Sequence, residues 1–111
     1  WGNFWRGVQL CESLPGLKQI AMTPLPNSDE TKYHILAKEQ ADCVVVTLGV
    51  GHDTRSEQQL RKLAPNCRFF GADPIPEINE KLYTEFGKFF PFAVGSFMGS
   101  SVAQILNNSA Y

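Results

Sequence analysis

Two glycines and an aspartate stand where a predicted strand gives way to a helix, and a second aspartate follows the next strand. Gly49 and Gly51 shape the turn in the run LGVGHD, which ends at Asp53, and Asp73 lies 22 residues beyond Gly51. Glycines let the backbone turn tightly and let a ligand approach without meeting a Cβ atom. The N-terminus of the following helix offers unpaired N–H groups to an anion. Since an acid about 20 residues further on reaches the hydroxyls of a bound ribose, this spacing predicts an adenosine site.

The charges around the turn discriminate between adenosine ligands. A dinucleotide fingerprint has glycine where this chain has Thr54, and it places a doubly charged pyrophosphate beside Asp53, which would repel it. S-adenosylmethionine brings an ammonium, a sulfonium and one carboxylate, so Asp53 can accept the amine while helix N–H groups take the carboxylate. These charges favour S-adenosylmethionine as the cofactor. A nucleotide-binding oxidoreductase that uses a nicotinamide cofactor is the alternative.

From position 43 onward, the sequence pattern predicts the strands and helices that would position these residues. The continuous apolar, β-branched run Cys43–Leu48 predicts a strand buried on both faces, as in a parallel sheet covered by helices. A helix is predicted from Asp53 to about Ala64. Thr54 and Glu57 have the spacing of a capping box, in which the side chains and backbone N–H groups of the first turn satisfy each other.

The elements that follow keep the same alternation. A second strand is predicted over Cys67–Ala72, and further strands over residues 89–94 and 101–106. Between the second and third strands, a helix that ends at Gly87 is predicted to carry a core stripe of Ile78, Leu82 and Phe86. Strands that alternate with helices predict βαβ units and a doubly wound, Rossmann-like α/β sheet.

The first 42 residues carry weaker patterns. An apolar spacing near the start predicts a short helix that Pro15 and Gly16 interrupt. Residues 23–31 include two prolines and six polar residues, which predicts a surface loop. Residues 31–41 contain no glycine or proline and are predicted to be helical, with one face on a sheet.

Composition narrows the classes of partner. Among 111 residues, 43% are hydrophobic, and 10 basic residues against 11 acidic ones give a net charge of −1, so we expect no nucleic-acid partner. No apolar run approaches the ~18 residues of a membrane helix, so we expect no membrane contact within this chain. Cys11, Cys43 and Cys67 are widely spaced and form no CxxC motif. They are expected to be buried free thiols, with no zinc site and with an intracellular, reducing compartment favoured.

Three segments in order, VVVTLGVGHDTRSEQQL, FFGADP and PFAVGS, resemble the FkbM-type S-adenosylmethionine-dependent methyltransferases, in a divergent branch whose glycine turn reads LGxGHD. The resemblance covers about half of the chain. It implies the class I Rossmann-like methyltransferase fold and, usually, methyl transfer to a hydroxyl oxygen of a small-molecule or glycan-type acceptor. The residues it assigns to the cofactor are Gly49, Gly51 and Asp53 around the methionine part, Asp73 at the ribose, and Val94 and Gly95 beside the adenine.

The acidic segment that such enzymes carry later, near the acceptor, has no counterpart before Tyr111. We therefore expect a fragment, with a lead-in over residues 1–42 and the N-terminal half of a Rossmann-like domain over residues 43–111. Part of the acceptor site would then lie outside it. No catalytic residue and no metal site is assigned, because no cluster of His, Asp and Glu has ligand spacing. A catalytically inactive Rossmann-like module kept for protein interaction is a third hypothesis.

Overall fold

The computed structural model describes residues 2–38 and 42–100, and the backbone of two short strands beyond them. Most of the predicted strand over residues 101–106 lies outside the described residues. The elements in chain order are α1 (Gly2–Glu12), α2 (Pro15–Lys18), β1 (Thr23–Pro26), β2 (Thr31–His34), β3 (Cys43–Leu48), α3 (Arg55–Leu63), β4 (Cys67–Ala72), α4 (Pro76–Thr84), β5 (Lys88–Phe90), β6 (Gln104–Ile105) and β7 (Ser109–Ala110).

The centre of the fold is a three-stranded parallel sheet with the order β3-β4-β5. Its register pairs Cys43 with Cys67 and Leu48 with Ala72, which in turn pairs with Phe90. Helix α3 connects the first two strands and α4 the next two. This confirms the predicted α/β class and its parallel sheet, and the arrangement is compatible with part of a Rossmann-like unit.

The two faces of this sheet differ. The covered face, which carries Val45, Thr47, Phe69 and Gly71, packs against Leu60 of α3 and Tyr83 of α4. The open face carries the alternate residues, among which Val44, Val46 and Leu48 are 50%, 60% and 61% exposed. The prediction that β3 is buried on both faces is therefore wrong, because α3 and α4 pack on the same side of the sheet.

Tyr83 is the centre of the packing on the covered face. It has no exposed surface, and its ring lies over Gly71, where an added Cβ atom would come within 2.7 Å of the ring. Ring contacts with Phe86 at 4.7 Å, and from Phe86 to Phe69 at 5.6 Å, extend this cluster. Glycine in β4 thus makes room for an aromatic side chain of α4.

The buried side of α4 is rotated by one residue from the predicted stripe. Ile78 is 49% exposed, whereas Asn79 and Tyr83 are fully buried. Phe86 packs against the core as predicted, but Leu82 is only half-buried. The apolar spacing alone could not reveal that a polar residue and a tyrosine take the inner positions, since their partners lie on other elements.

The region before the sheet confirms one prediction and overturns two. Helix α1 lies where the apolar spacing predicts it. The predicted loop over residues 23–31 and the predicted helix over residues 31–41 are wrong, because β1 and β2 form an antiparallel hairpin. The two prolines are tolerated because the hairpin has only two strands, so each strand is an edge. Residues 39–41 of the predicted helix lie outside the described residues.

Strand β5 is shorter than the prediction over residues 89–94, since it ends at Phe90. Pro91 follows, and it has no N–H group to continue the ladder. Across the described residues, every helix is too short or too polar to cross a membrane.

Cys43 and Cys67 form a disulfide, which corrects the expectation of buried free thiols. Both residues begin their strands, and the in-register pairing of β3 with β4 brings their Cα atoms to 4.4 Å. Their sequence separation of 24 gave no sign of this pairing. Cys11 is free, but it is exposed rather than buried. Because disulfides are typical of oxidising compartments, the expectation of a reducing compartment loses its basis.

Candidate functional site

The glycine turn at the carboxyl end of β3 has a left-handed backbone. Gly49, Gly51 and His52 have φ values of +78°, +66° and 61°. A Cβ atom on either glycine would meet no other atom within 4 Å, so the space above the turn is open. The turn is held to the neighbouring strand by the Gly49 N–H, which donates to the Ala72 carbonyl at 2.9 Å. Glycine is required here by the backbone conformation and not by crowding.

Asp73, directly after β4, reaches back to this turn. Its Oδ2 accepts from the N–H groups of Val50 at 2.8 Å and Gly51 at 3.3 Å, and its Oδ1 accepts from the Ile75 N–H at 2.8 Å. The residue is buried, with 6% of its surface exposed. The acid and the glycine turn are therefore in direct contact, as adjacent carboxyl ends of parallel strands require.

Asn79 of α4 supports the other side of the turn. Its Oδ1 accepts from the His52 N–H at 2.9 Å. The side chain is fully buried, and its Nδ2 has no hydrogen-bond partner among the described residues. Asn79 thus holds His52 in its left-handed conformation through the His52 N–H group. The sequence did not predict this role.

Asp53 lies at the start of α3 and is engaged on both oxygens. Its Oδ1 accepts from the Arg55 N–H at 3.0 Å, and the Arg55 guanidinium donates to Oδ2 at 2.8 Å. The Ser28 N–H and hydroxyl each donate to Oδ2 at 2.7 Å. The Arg55 side chain, together with these donors from Ser28, holds the pKa of the Asp53 carboxyl well below its usual range. Asp53 is therefore a carboxylate at neutral pH.

The first turn of α3 is capped differently from the prediction. The Thr54 hydroxyl accepts from Gln58 Nε2 at 3.1 Å, and the Glu57 side chain turns away to Lys32, so the capping box does not form. Asp53 takes the Arg55 N–H instead, and the Ser56 N–H donates to Asn27 Oδ1 at 2.8 Å. Two of the helix N–H groups expected to bind a carboxylate, those of Arg55 and Ser56, thus have partners within the chain.

A buried polar cluster lies behind the turn on the covered face. Lys32 Nζ and Glu57 Oε1 are 2.9 Å apart, and the Thr47 hydroxyl lies 3.5 Å from the same Glu57 oxygen. The Tyr83 hydroxyl donates to Thr47 Oγ1 at 2.9 Å, and burial raises the pKa of that hydroxyl. This cluster joins hairpin, sheet and both helices. The sequence did not predict this cluster, because only long-range contacts bring its members together.

Val94 and Gly95 lie in the loop that follows β5. Both are exposed, and the cavity that they line is bordered by residues 92–99, the loop that contains them. The structure thus brings Gly49, Gly51 and Asp73 together, with Asp53 at the start of the adjacent helix. Among the described residues, no group of three or more His, Cys, Asp or Glu could hold a metal ion.

Comparisons of this chain with protein-family models, with curated proteins and with solved structures found no match.

Proposed function

We propose that this chain carries the cofactor-binding half of an S-adenosylmethionine-dependent methyltransferase domain of the class I, FkbM-like type. The acceptor would be a hydroxyl group of a small molecule or glycan. In this proposal, Gly49, Gly51 and Asp53 bind the methionine part of the cofactor, Asp73 binds the ribose, and Val94 and Gly95 lie beside the adenine.

The observation that carries the proposal is the contact between Asp73 and the glycine turn. The carboxylate accepts from the Val50 and Gly51 N–H groups, so the acid expected at the ribose and the turn expected at the methionine part share one site. Open space lies above both glycines. A turn of this conformation at the carboxyl end of a parallel sheet is where α/β proteins bind nucleotides.

The unused hydrogen-bond acceptor site of the Asp73 carboxylate supports one ribose contact. A carboxylate has about four acceptor sites, and three are used: two on Oδ2 and one on Oδ1. The free site on Oδ1 fits a single hydroxyl donor. We therefore expect one ribose hydroxyl to depend on Asp73.

The chemistry of such an enzyme comes largely from its cofactor, whose sulfonium supplies an activated methyl group. In this proposal, the residues of this chain bind the cofactor and orient it. Asp73 and Asn79 hold the turn in its left-handed form, which fixes where a ligand can lie against Gly49 and Gly51.

Calorimetric titration with S-adenosylhomocysteine, the demethylated product, tests the proposal. We expect saturable binding that Asp73→Ala abolishes and that Asp42→Ala, an equivalent change at an exposed residue, leaves unchanged. Cooperative melting of both variants must be verified first. In the unmodified chain, adenosine should bind more tightly than its 2′- or its 3′-deoxy form. Equal binding to all three would remove Asp73 from the ribose.

Comparison with a nicotinamide dinucleotide tests the competing enzyme class. S-adenosylhomocysteine carries an ammonium that can donate to the Asp53 carboxylate, and the dinucleotide has no such group. We therefore expect S-adenosylhomocysteine to raise the melting temperature more than the dinucleotide does. The opposite order would favour an oxidoreductase.

A second candidate is the inactive Rossmann-like interaction module. It is favoured by one observation, that Asp53, Asp73 and the first two N–H groups of α3 have partners within the chain. No thermal response to any adenosine ligand would support this candidate over the enzyme.

A further inference from the structure

The tip of the β1-β2 hairpin, residues 27–30, lies on the start of α3. Asn27 Oδ1 accepts from the Ser56 N–H at 2.8 Å, and the Ser28 N–H donates to Asp53 Oδ2 at 2.7 Å. The tip is closed by the Asn27 N–H, which donates to the Glu30 carbonyl at 2.7 Å. Two neighbouring residues of the tip therefore place an oxygen acceptor on a helix N–H group and an N–H donor on a carboxylate.

This pair of contacts has the polarity of an α-amino acid. The carboxylate of a free amino-acid group would accept from the N–H groups of a helix N-terminus, and its ammonium would donate to an acid. The Asn27 amide oxygen stands where the former is expected and the Ser28 N–H where the latter is expected. The hairpin tip thus makes the contacts that the methionine end of S-adenosylmethionine would make.

An independent observation concerns Ser56, whose N–H group donates to the tip. Ser56, in the first turn of α3, is fully buried, and its hydroxyl has no hydrogen-bond partner among the described residues. A buried hydroxyl without a partner is costly, and the tip satisfies the Ser56 N–H but not its side chain. A ligand carboxylate has more acceptor sites than one amide oxygen and can serve both groups.

The strands of the hairpin are held separately from its tip. Lys32 of β2 pairs with Glu57 at 2.9 Å, Leu25 of β1 lies in the core, and Gln59 Nε2 donates to the Pro26 carbonyl at 3.0 Å. The tip itself is more exposed, with Ser28 at the surface. The contacts that anchor the strands are therefore distinct from those that hold the tip on α3.

We infer that the hairpin tip is an internal competitor for the amino-acid end of the cofactor, and that it must leave Asp53 and Ser56 before that end can bind. The inference rests on the proposed function. It makes Asn27 and Ser28 a gate on the methionine subsite, and it leaves the adenosine subsite at Asp73 untouched.

Two ligands that differ only at the amino-acid end test this gate. S-adenosylhomocysteine carries the amino acid, whereas 5′-methylthioadenosine keeps the adenosine and thioether without it. Asn27→Ala removes the competing oxygen, so we expect it to tighten binding of S-adenosylhomocysteine about fivefold, the worth of one net hydrogen bond. Binding of 5′-methylthioadenosine should not change. Asn3→Ala, the same change at an exposed position of α1, should alter neither ligand.

Asn27→Asp provides the opposite change and does not depend on the alanine variant folding. A carboxylate at a helix N-terminus binds more strongly than an amide, so the tip should hold more firmly. We expect S-adenosylhomocysteine to bind about fivefold more weakly, with 5′-methylthioadenosine again unchanged.

The outcomes separate the gate from the proposed function. If both ligands bind but neither Asn27 variant shifts one relative to the other, the gate is wrong and the cofactor site stands. Equal gains for both ligands indicate general loosening and also overturn the gate. If no variant binds either ligand, both proposals fail, because an opened tip would expose the subsite.

Discussion

The covered and open faces of the central sheet are built from neighbouring residues of the same strands, yet they behave differently. On the covered face, Phe69 is 3% exposed and Tyr83 of α4 is fully buried against it. On the open face, Val46 is 60% exposed and Phe90 is 39% exposed. The disulfide also lies on the covered side, since Cys67 packs against the core. Alternation along a strand decides which residues share a face, but only the helices decide which face is buried.

The two faces differ in the interactions that stabilise the fold. The covered face combines apolar packing with the polar cluster of Thr47, Glu57 and Lys32. The open face has ring contacts of Phe90 with Phe70 at 6.4 Å and with Phe92 at 5.8 Å, with solvent beyond them. Substitutions on the two faces should therefore have unequal costs.

The largest difference is expected between two adjacent phenylalanines of β4. Phe69→Ala removes a buried ring and should lower the free energy of unfolding by about 3–5 kcal/mol. Phe70→Ala, on the open face, should cost less than half as much, because Phe70 is only half-buried. Urea unfolding of both variants measures this. Equal losses would mean that the two faces are equivalent in solution.

Loss of the disulfide should come next. Cys43→Ser together with Cys67→Ser, or reduction of the unmodified chain, should lower stability by about 2–4 kcal/mol, since the bond constrains the unfolded chain. Cys11→Ser is the matched control and should change little, because Cys11 is exposed and free. If reduction leaves the melting temperature unaltered, the covered face does not depend on this bond.

Gly71→Ala examines the closest packing on the covered face. The added methyl group would lie 2.7 Å from the Tyr83 ring, so we expect a loss of about 1–3 kcal/mol from overpacking. Gly7→Ala in α1 meets no atom within 4 Å and should instead gain up to about 1 kcal/mol of helix stability. Thermal melts of both variants give the sign directly. A neutral Gly71→Ala would show that the Tyr83 ring moves easily.

The smallest effect concerns pH, at the edge where the hairpin meets α3. The folded-state pKa of Asp53 lies below its ordinary value of 3.8, so its contribution to stability is present above that value and is lost as the pH falls toward the folded value. Melting temperatures between about pH 6 and pH 2 should fall less steeply in Asp53→Asn than in the unmodified chain. Identical slopes would indicate that Arg55 and Ser28 do not hold the carboxylate.

Local patterns predicted much of the sheet and its helices. The apolar run of β3, the turn at Gly49 and Gly51, and the helix after Asp53 all follow from residue types within a few positions of each other. The hairpin was missed because its prolines resemble a loop, and its strands gain stability from Leu25 in the core and from Lys32 on Glu57. The residues that make those contacts are far apart in the sequence.

For the candidate site, the sequence by itself determined the glycine turn, the acid after the next strand and the parallel order that makes them neighbours. These follow from chain periodicity and the geometry of βαβ units. Only the tertiary structure decided that Asp73 accepts from the glycine turn and that Asn79 accepts from the His52 N–H group. It also decided that Asn27 lies on the start of α3. The physical reason is that a hydrogen bond between distant residues depends on strand register and helix rotation, which no local pattern encodes.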